Sequence, residues 1–186
     1  MRRGVFTLLL LSACAHTPAE SVVPGWTLLS ASPGMEELQV RTDEHLRRAT
    51  VTEAGARGPF LDLRRVPGKL QGTSHVDWPI ALQQKGNEML GRVAGDSFDL
   101  TLQLDGEEMR ATGVVAGVAS VFWMSPARIR GSVGPCRFDL VWGEGMYTGG
   151  RTCGPHHDTV SVLFPPALAG WSDLEAASLL AIMVQR

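Results

Sequence analysis

Gly91-Arg92-Val93-Ala94-Gly95-Asp96-Ser97-Phe98-Asp99-Leu100 and Gly131-Ser132-Val133-Gly134-Pro135-Cys136-Arg137-Phe138-Asp139-Leu140 are two copies of one pattern, forty positions apart. Gly, Val, Phe, Asp and Leu recur at the same offsets. A weaker version lies at 60–63, before Pro67-Gly68. A period near forty also occurs in β-propellers, but two clear copies are too few for one. The repeat therefore predicts duplicated hairpins in one antiparallel sheet.

Both copies continue as strands with one buried face. Residues 98–105 alternate between apolar and polar side chains, which is the period of a half-buried strand. Asp105-Gly106 predicts a two-residue hairpin turn, after which the chain returns through residues 109–115. The second copy turns at Gly143-Glu144-Gly145. Its return carries, at alternate positions, Met146, Thr148, Gly150 and Thr152.

Turn signals define the fold class. From residue 60 onward they recur every eight to twelve residues, which favours an antiparallel β-barrel or sandwich over βαβ units. Residues 26–29 are predicted to be a first strand, 53–58 a loop, and 158–164 the last strand. The stretch 114–124 is almost wholly apolar, so we expect it to be buried on both faces or to face a lumen. The sequence predicts a mainly β domain, an antiparallel meander of roughly ten strands forming a barrel or a strongly curved sheet or sandwich.

One α-helix is predicted, at the C-terminus over residues 172–186. Pro165-Pro166 ends the sheet, and Ser172 with Glu175 forms the capping-box pattern of a helix start. The helix is apolar nearly all round, with a narrow polar stripe at Glu175, Ser178 and Gln185. Such a helix is buried or contacts a partner. We expect it to pack on the sheet or to plug one end of a barrel.

The N-terminus has the pattern of a processed leader. Met1-Arg2-Arg3 is basic, a short apolar run covers 5–11, and Leu11-Ser12-Ala13-Cys14 follows. These fourteen residues resemble the signal peptide and lipobox of bacterial lipoproteins. The resemblance implies cleavage before Cys14 and attachment of a diacylglycerol to its sulfur. The alternative is an ordinary secretory signal with a chance Cys. A transmembrane anchor is disfavoured, because the apolar run is far shorter than the ~20 residues that span a bilayer.

The resemblance also sets the expected organisation. Residues 1–13 would be removed, 14–25 would be the lipidated Cys and a short tether, and 26–186 a single domain. Loss of Arg2 and Arg3 would lower the 17 basic residues to 15 against 19 acidic ones, so the net charge would move from −2 to −4. Nucleic acid is therefore a poor partner. The residue after the lipidated Cys is Ala15, not the Asp that keeps enteric lipoproteins in the inner membrane. We therefore expect an outer-membrane protein, on the periplasmic face or surface-exposed.

With Cys14 lipidated, Cys136 and Cys153 remain as a pair. An even pair in an oxidising compartment predicts a disulfide. If Trp142 pairs with Met146, Cys136 lies opposite Thr152, so a bond needs a bulge or a register offset. A metal or redox pair is the alternative, and both spacing and compartment disfavour it.

Chemistry-bearing clusters are sparse. His156-His157-Asp158 is the candidate metal cluster, and the alternative, which we expect, is a surface turn. On a strand, adjacent histidines point to opposite faces, so both can bind one metal only from a loop. His75 lies close to Asp77, but no Ser has a nucleophile-elbow context. No cofactor motif is present, and no catalytic residue is predicted.

Tryptophan and the repeated aspartates are the remaining candidates for a site. The chain has five Trp and one Tyr. Trp78, Trp123 and Trp142 are candidates for lining a carbohydrate or lipid cavity, but Trp is also common in cores. Asp99 and Asp139 recur in the repeat on the polar face, as solvated positions or a duplicated carboxylate site.

Three functions stay open at this point. The first is a non-enzymatic, lipid-anchored envelope protein that binds another envelope protein or a ligand. The second is a carrier of lipid or another hydrophobic molecule, and the third is a hydrolase or metalloenzyme around His75 or His156. A connected apolar cavity of several hundred Å3 would favour the carrier. A solid core with exposed apolar surface would favour the binding protein.

Overall fold

The computed structural model describes residues 29–74 and 77–185. Fourteen strands precede a short 3₁₀ helix and one α-helix. The strands are β1 Glu37–Arg41, β2 Leu46–Thr52, β3 Gly55–Gly58, β4 Leu61–Val66, β5 Lys69–Ser74, β6 Trp78–Lys85, β7 Glu88–Val93, β8 Asp96–Asp105, β9 Glu108–Val115, β10 Val118–Met124, β11 Arg128–Val133, β12 Cys136–Gly143, β13 Met146–Cys153 and β14 His156–Leu163. The 3₁₀ helix is Pro166–Gly170, and α1 is Asp173–Val184. The predicted strand at 26–29 lies almost entirely outside the described residues, and Leu29 itself is in a bend.

The strands form one closed barrel. Each pairs antiparallel with its neighbours in sequence, and β1 closes on β14 through Gln39–Leu163, Val40–Val162 and Arg41–Ser161. The predicted mainly β fold with one C-terminal helix is confirmed, and among its alternatives the barrel is the one observed. The predicted number of about ten strands is wrong. The segment 53–58 is not a loop, because β3 begins at Gly55, and 114–124 is two strands joined by a turn at Ala116-Gly117.

Glycines on alternate strands allow the sheet to curve. Gly72, Gly91, Gly113, Gly131 and Gly149 each face the lumen beside a larger residue on a neighbouring strand. A Cβ added to Gly149 would lie 2.0 Å from the carbonyl oxygen of Asp139 on β12. Glycine at such positions permits the close backbone approach that a rolled sheet needs. The spacing of these glycines shows that the repeating unit is one hairpin of about twenty residues, so the forty-residue period spans two units.

Helix α1 fills the lumen. A barrel of fourteen strands is wider than side chains alone can fill. All twelve residues of α1 are buried, including Glu175 and Ser178, so the predicted polar stripe does not face solvent. The Ser178 hydroxyl donates to the Leu174 carbonyl at 2.7 Å, which satisfies it inside the helix. The helix therefore completes the core, and its nearest strands are β7, β8 and β9.

Polar contacts fix both ends of the helix. At its N-terminus, the Glu175 carboxylate accepts from the Arg65 guanidinium and from the Gly68 backbone N–H, both at 2.9 Å. Ser172 and Glu175 form the predicted capping box. At its C-terminus, Arg47 Nη1 donates to the Met183 carbonyl at 3.0 Å and to the Gln185 carbonyl. A buried carboxylate and a partly buried guanidinium thus hold the helix along the barrel axis.

The barrel has two different ends. The end that holds the N-terminus of α1 is called the Trp171 end. There the Trp171 indole N–H donates to the Thr52 carbonyl at 2.9 Å, and Tyr147 packs between Trp142 and Phe164. Burial raises the pKa of the Tyr147 hydroxyl. The opposite end, called the Trp78 end, holds the C-terminus of α1 and the hairpin turns at 94–95, 116–117 and 134–135.

The predicted disulfide is present, between Cys136 and Cys153, with 4.2 Å between the Cα atoms. The predicted register is off by one residue. The turn consists of Glu144-Gly145 alone, with φ of +54° and +82°, so Trp142 pairs with Tyr147 and Cys136 lies directly opposite Cys153. No bulge is needed. The inner face of β13 accordingly carries Tyr147 and Cys153 rather than the residues predicted from the sequence.

The disulfide should contribute measurably to stability. A double Cys136→Ala, Cys153→Ala variant is expected to lose up to about 3 kcal/mol of unfolding free energy, since the bond restricts an unfolded loop of 17 positions. The loss is reduced because β12 and β13 are already joined by a hairpin. Urea unfolding of oxidised protein, reduced protein and the double variant measures it. Equal midpoints for all three would contradict this expectation.

Candidate functional site at the Trp78 end

The Trp78 end carries two adjacent openings on either side of Arg47. The first, called the Arg47 notch, is about 30 Å3. It lies between the β1–β2 turn and the β13–β14 hairpin, whose strands are longer than β1 and β2. Its border is mainly polar: Val40, Thr42, Glu44, His45, Arg47, Arg151, His156, Asp158 and Met183. The second, called the Trp78 cavity, is about 160 Å3 and is mainly apolar. Its border is Arg47, Phe60, Leu61, Ser74, Trp78, Val93, Ala94, Asp96, Ala116, Ile182, Met183 and Gln185.

Strand register turns a pair of charged side chains toward the lumen at the notch. Arg151 pairs directly with Asp158 across β13 and β14, and Arg151 Nη2 donates to Asp158 Oδ2 at 2.5 Å. The side chains are only 11% and 17% exposed. Arg47 is in phase with Ala49 and Val51, the buried residues of β2, and therefore also faces the lumen. Burial, and then repulsion from Arg151, lower the pKa of Arg47.

The Trp78 cavity lies between the last turn of α1 and the wall of the barrel. Ile182 and Met183 form its helical side and are buried, whereas Trp78 at its rim is 54% exposed. The Arg47 guanidinium lies 5.4 Å from the Phe60 ring centroid, within cation–π range. An apolar cavity therefore meets a cationic group at one point, the side chain of Arg47.

The three candidate tryptophans do not line one cavity. Trp78 borders the cavity at the end that bears its name, whereas Trp142 packs edge-on against Tyr147 at the Trp171 end. Trp123 lies on the outer wall, with the Arg110 and Arg130 guanidiniums 5.6 and 4.7 Å from its ring centroid. Sequence alone does not distinguish these positions, because aromatic residues suit the lumen, the rim and the wall alike.

The histidine cluster is in a strand. The expectation of a surface turn at His156-His157-Asp158 is wrong, because β14 begins at His156. His156 borders the notch, while His157 lies on the outer face, where its Nδ1 is 2.9 Å from the Thr152 hydroxyl. Within residues 29–74 and 77–185, no three His, Cys, Asp or Glu side chains group as a metal site. His75 lies outside the described residues.

The repeated aspartates lie on the outer wall. Asp99 is exposed on β8. Asp139 Oδ1 accepts from Arg128 Nε at 2.6 Å, and this contact lowers the pKa of the Asp139 carboxyl and raises the pKa of Arg128. A wide depression of about 470 Å3 also lies on the outer wall, bordered by exposed Thr50, Thr52, Arg57 and Arg64 among others.

Sequence reasoning missed the notch, although a signal for Arg151 is present. Val93, Val115 and Val133 each follow a lumen-facing glycine by two positions, and Arg151 takes this place after Gly149. The corresponding position is Val in three hairpins and Ser74 after Gly72, so Arg151 is the charged residue among these five positions. Arg47 gives a weaker signal, since it only shares the phase of Ala49 and Val51.

Comparison with known proteins adds no further assignment: no protein family model, curated protein or solved structure matches the chain. None of the helices in the described residues is long and apolar enough to cross a membrane.

Proposed function

We propose that the protein is a lipid-anchored envelope protein, without catalytic activity, that binds another envelope protein or a ligand through the Trp78 end. The observation that carries this proposal is the burial of all twelve residues of α1 inside the barrel. The cavity beside the helix is about 160 Å3, which is below the several hundred Å3 of a typical lipid-sized site. A lipid carrier is therefore less well supported than a binding protein that uses its rim.

The contacts of Ser30 with the barrel support one orientation of the barrel relative to the membrane. The Ser30 backbone N–H donates to the Tyr147 hydroxyl at 2.8 Å, and the Ser30 hydroxyl donates to the Pro126 carbonyl at 2.9 Å. Both partners are at the Trp171 end. An anchor at Cys14 would therefore reach the barrel from that side and leave the Trp78 end remote from the membrane.

Anchoring itself is tested by Cys14→Ser. The variant should remain unmodified by lipid and should not partition into the detergent phase of a Triton X-114 separation, whereas the wild-type protein should. The reason is the Leu11-Ser12-Ala13-Cys14 lipobox pattern. Mass spectrometry of the N-terminal peptide identifies the diacylglycerol. A wild-type N-terminal peptide without lipid would overturn the anchored assignment.

The docking face is tested by photo-crosslinking in intact cells. A photoreactive amino acid replaces Val118 at the Trp78 end, Leu104 at the Trp171 end or Val141 on the outer wall, three aliphatic positions that are 42%, 59% and 57% exposed. We expect a discrete crosslinked adduct from position 118, and its yield should fall when unlabelled protein competes for the same partner. We expect no adduct from position 104 or 141. Adducts from all three positions alike, or from 104 alone, would contradict the proposal.

A further inference from the structure

Arg47 is a partly buried cation between the mainly polar notch and the mainly apolar Trp78 cavity. Its Nη1 is used by the two carbonyls at the C-terminus of α1, and its guanidinium lies over the Phe60 ring. Within the described part of the chain, Arg47 forms no ion pair with a carboxylate. The nearby Asp158 is paired with Arg151. Burial of a guanidinium is costly, and an anion at this point would offset part of that cost.

The adjoining Trp78 cavity sets the size of the apolar group that fits. An apolar cavity of about 150 Å3 holds one benzene molecule, so about 160 Å3 accommodates a compact group of roughly six to eight non-hydrogen atoms. Phe60, Leu61, Val93 and Ile182 provide apolar walls. Because Arg47 borders both the cavity and the notch, an apolar group in the cavity places an attached anion next to the guanidinium.

The remaining charged groups around the site permit one anion to bind beside Arg47. His45 and His156 are exposed at the notch, and Glu44 is exposed at its rim. Asp96 borders the cavity and is also exposed. Exposed carboxylates are screened by solvent and oppose an anion weakly. The shielded Asp158 carboxylate is paired with Arg151 and offsets its charge, so Arg47 supplies the net positive charge at this point.

We propose that the Trp78 end binds a small monocarboxylate, with a compact apolar group in the Trp78 cavity and the carboxylate against Arg47. Nη1 of Arg47 is occupied by the helix, so Nε and Nη2 are the donors that this proposal assigns to the carboxylate. A planar guanidinium suits bidentate contact with a carboxylate. This proposal goes beyond the envelope-binding function and depends neither on the lipid anchor nor on a protein partner.

The probe is phenylacetate, whose ring matches the cavity and whose carboxylate matches Arg47. Its neutral isostere phenylacetamide and the ringless anion acetate are the controls. The full chain, purified in detergent, carries ¹³C-methyl methionine. Met183 borders both openings, whereas Met109 and Met124 are buried elsewhere in the barrel. We expect phenylacetate to shift the Met183 methyl signal in a saturable manner and to leave the other two in place.

Two variants, each with a control, decide the role of the residues. Arg47→Gln should weaken phenylacetate binding at least about tenfold, which is the effect of losing one charge-assisted contact. Arg48→Gln, on the exposed face of β2, should leave it unchanged. Trp78→Ala should weaken binding several-fold, whereas Leu104→Ala at the opposite end should not. Trp78 is half exposed, so we expect Trp78→Ala to fold, and it keeps the test valid even if Arg47→Gln unfolds.

The results that would overturn the proposal are equally specific. Phenylacetamide binding as tightly as phenylacetate would show that the carboxylate is not recognised. Acetate shifting Met183 at the same concentration would show that the cavity contributes nothing. A Met183 signal that does not move, or equal affinity in wild type and Trp78→Ala, would show that the Trp78 end does not hold the ligand.

Discussion

Leu180→Asp is expected to abolish folding. Leu180 is 1% exposed at the centre of α1, inside the closed barrel. Removing its side chain alone costs about 2–5 kcal/mol, as for other buried leucines. A carboxylate buried in the same place without a paired cation adds several kcal/mol. The sum approaches the whole stability of a typical domain, about 5–15 kcal/mol.

Circular dichroism and urea unfolding of the purified variant measure this effect. Leu180→Ala should still fold, with a lower unfolding midpoint, and Leu104→Asp serves as the matched control because Leu104 is 59% exposed. A Leu180→Asp protein that melts like wild type would show that the helix is not part of the core. It would then have to be a docking element outside the barrel.

Gly149→Ala is the second large expected effect, and Gly150 provides its control on the same strand. A Cβ at position 149 would lie 2.0 Å from the Asp139 carbonyl oxygen and 3.1 Å from the Leu140 Cα. These are backbone atoms, so β12 and β13 would have to separate. We expect a loss of about 3 kcal/mol, at the upper end of the range for overpacking. At Gly150 nothing lies within 4 Å of an added Cβ, so Gly150→Ala should be neutral or slightly stabilising.

Thermal and urea unfolding of the two variants side by side tests the rolled-sheet geometry. A Gly149→Ala protein as stable as Gly150→Ala would mean that the β12–β13 contact is looser than described. The comparison removes the general effect of replacing glycine by alanine, because both variants make the same chemical change one residue apart.

The architecture was predictable in class but not in strand number. Alternating residues at 98–102 and at 138–140 do face the lumen with their apolar members, as expected. Turns that the sequence indicates, such as Pro67-Gly68 and the turn within 143–145, lie at the Trp171 end. Among those missed at the Trp78 end are Ala94-Gly95 and Ala116-Gly117, where alanine adopts φ of +56° and +50°. Alanine rarely adopts positive φ, so these hairpin turns have no strong sequence signal.

One-residue errors of register had larger consequences than errors of element type. Both a two-residue and a three-residue turn are compatible with Gly143-Glu144-Gly145. The choice between them inverts the two faces of β13. It also decides whether Cys136 lies opposite Thr152 or Cys153, so the disulfide itself is the stronger indicator of register.

The candidate site could not be predicted from the sequence because long-range closure creates it. Arg47 and Arg151 are about a hundred positions apart and meet only when β1 pairs with β14. The Trp78 cavity likewise needs α1 to pass through the lumen and end beside Phe60. A local pattern does not show which strands will close a barrel, or which helix will occupy it.

Native-state hydrogen exchange of the α1 amides tests the central claim most directly, namely that the helix fills a closed barrel. The amides of residues 177–183 are buried within the lumen. They should exchange only through global unfolding, with an opening free energy equal to the free energy of unfolding. Exchange of these amides with a much lower opening free energy, while the amides of β8 and β12 stay protected, would show that the helix leaves an intact barrel and would contradict this account.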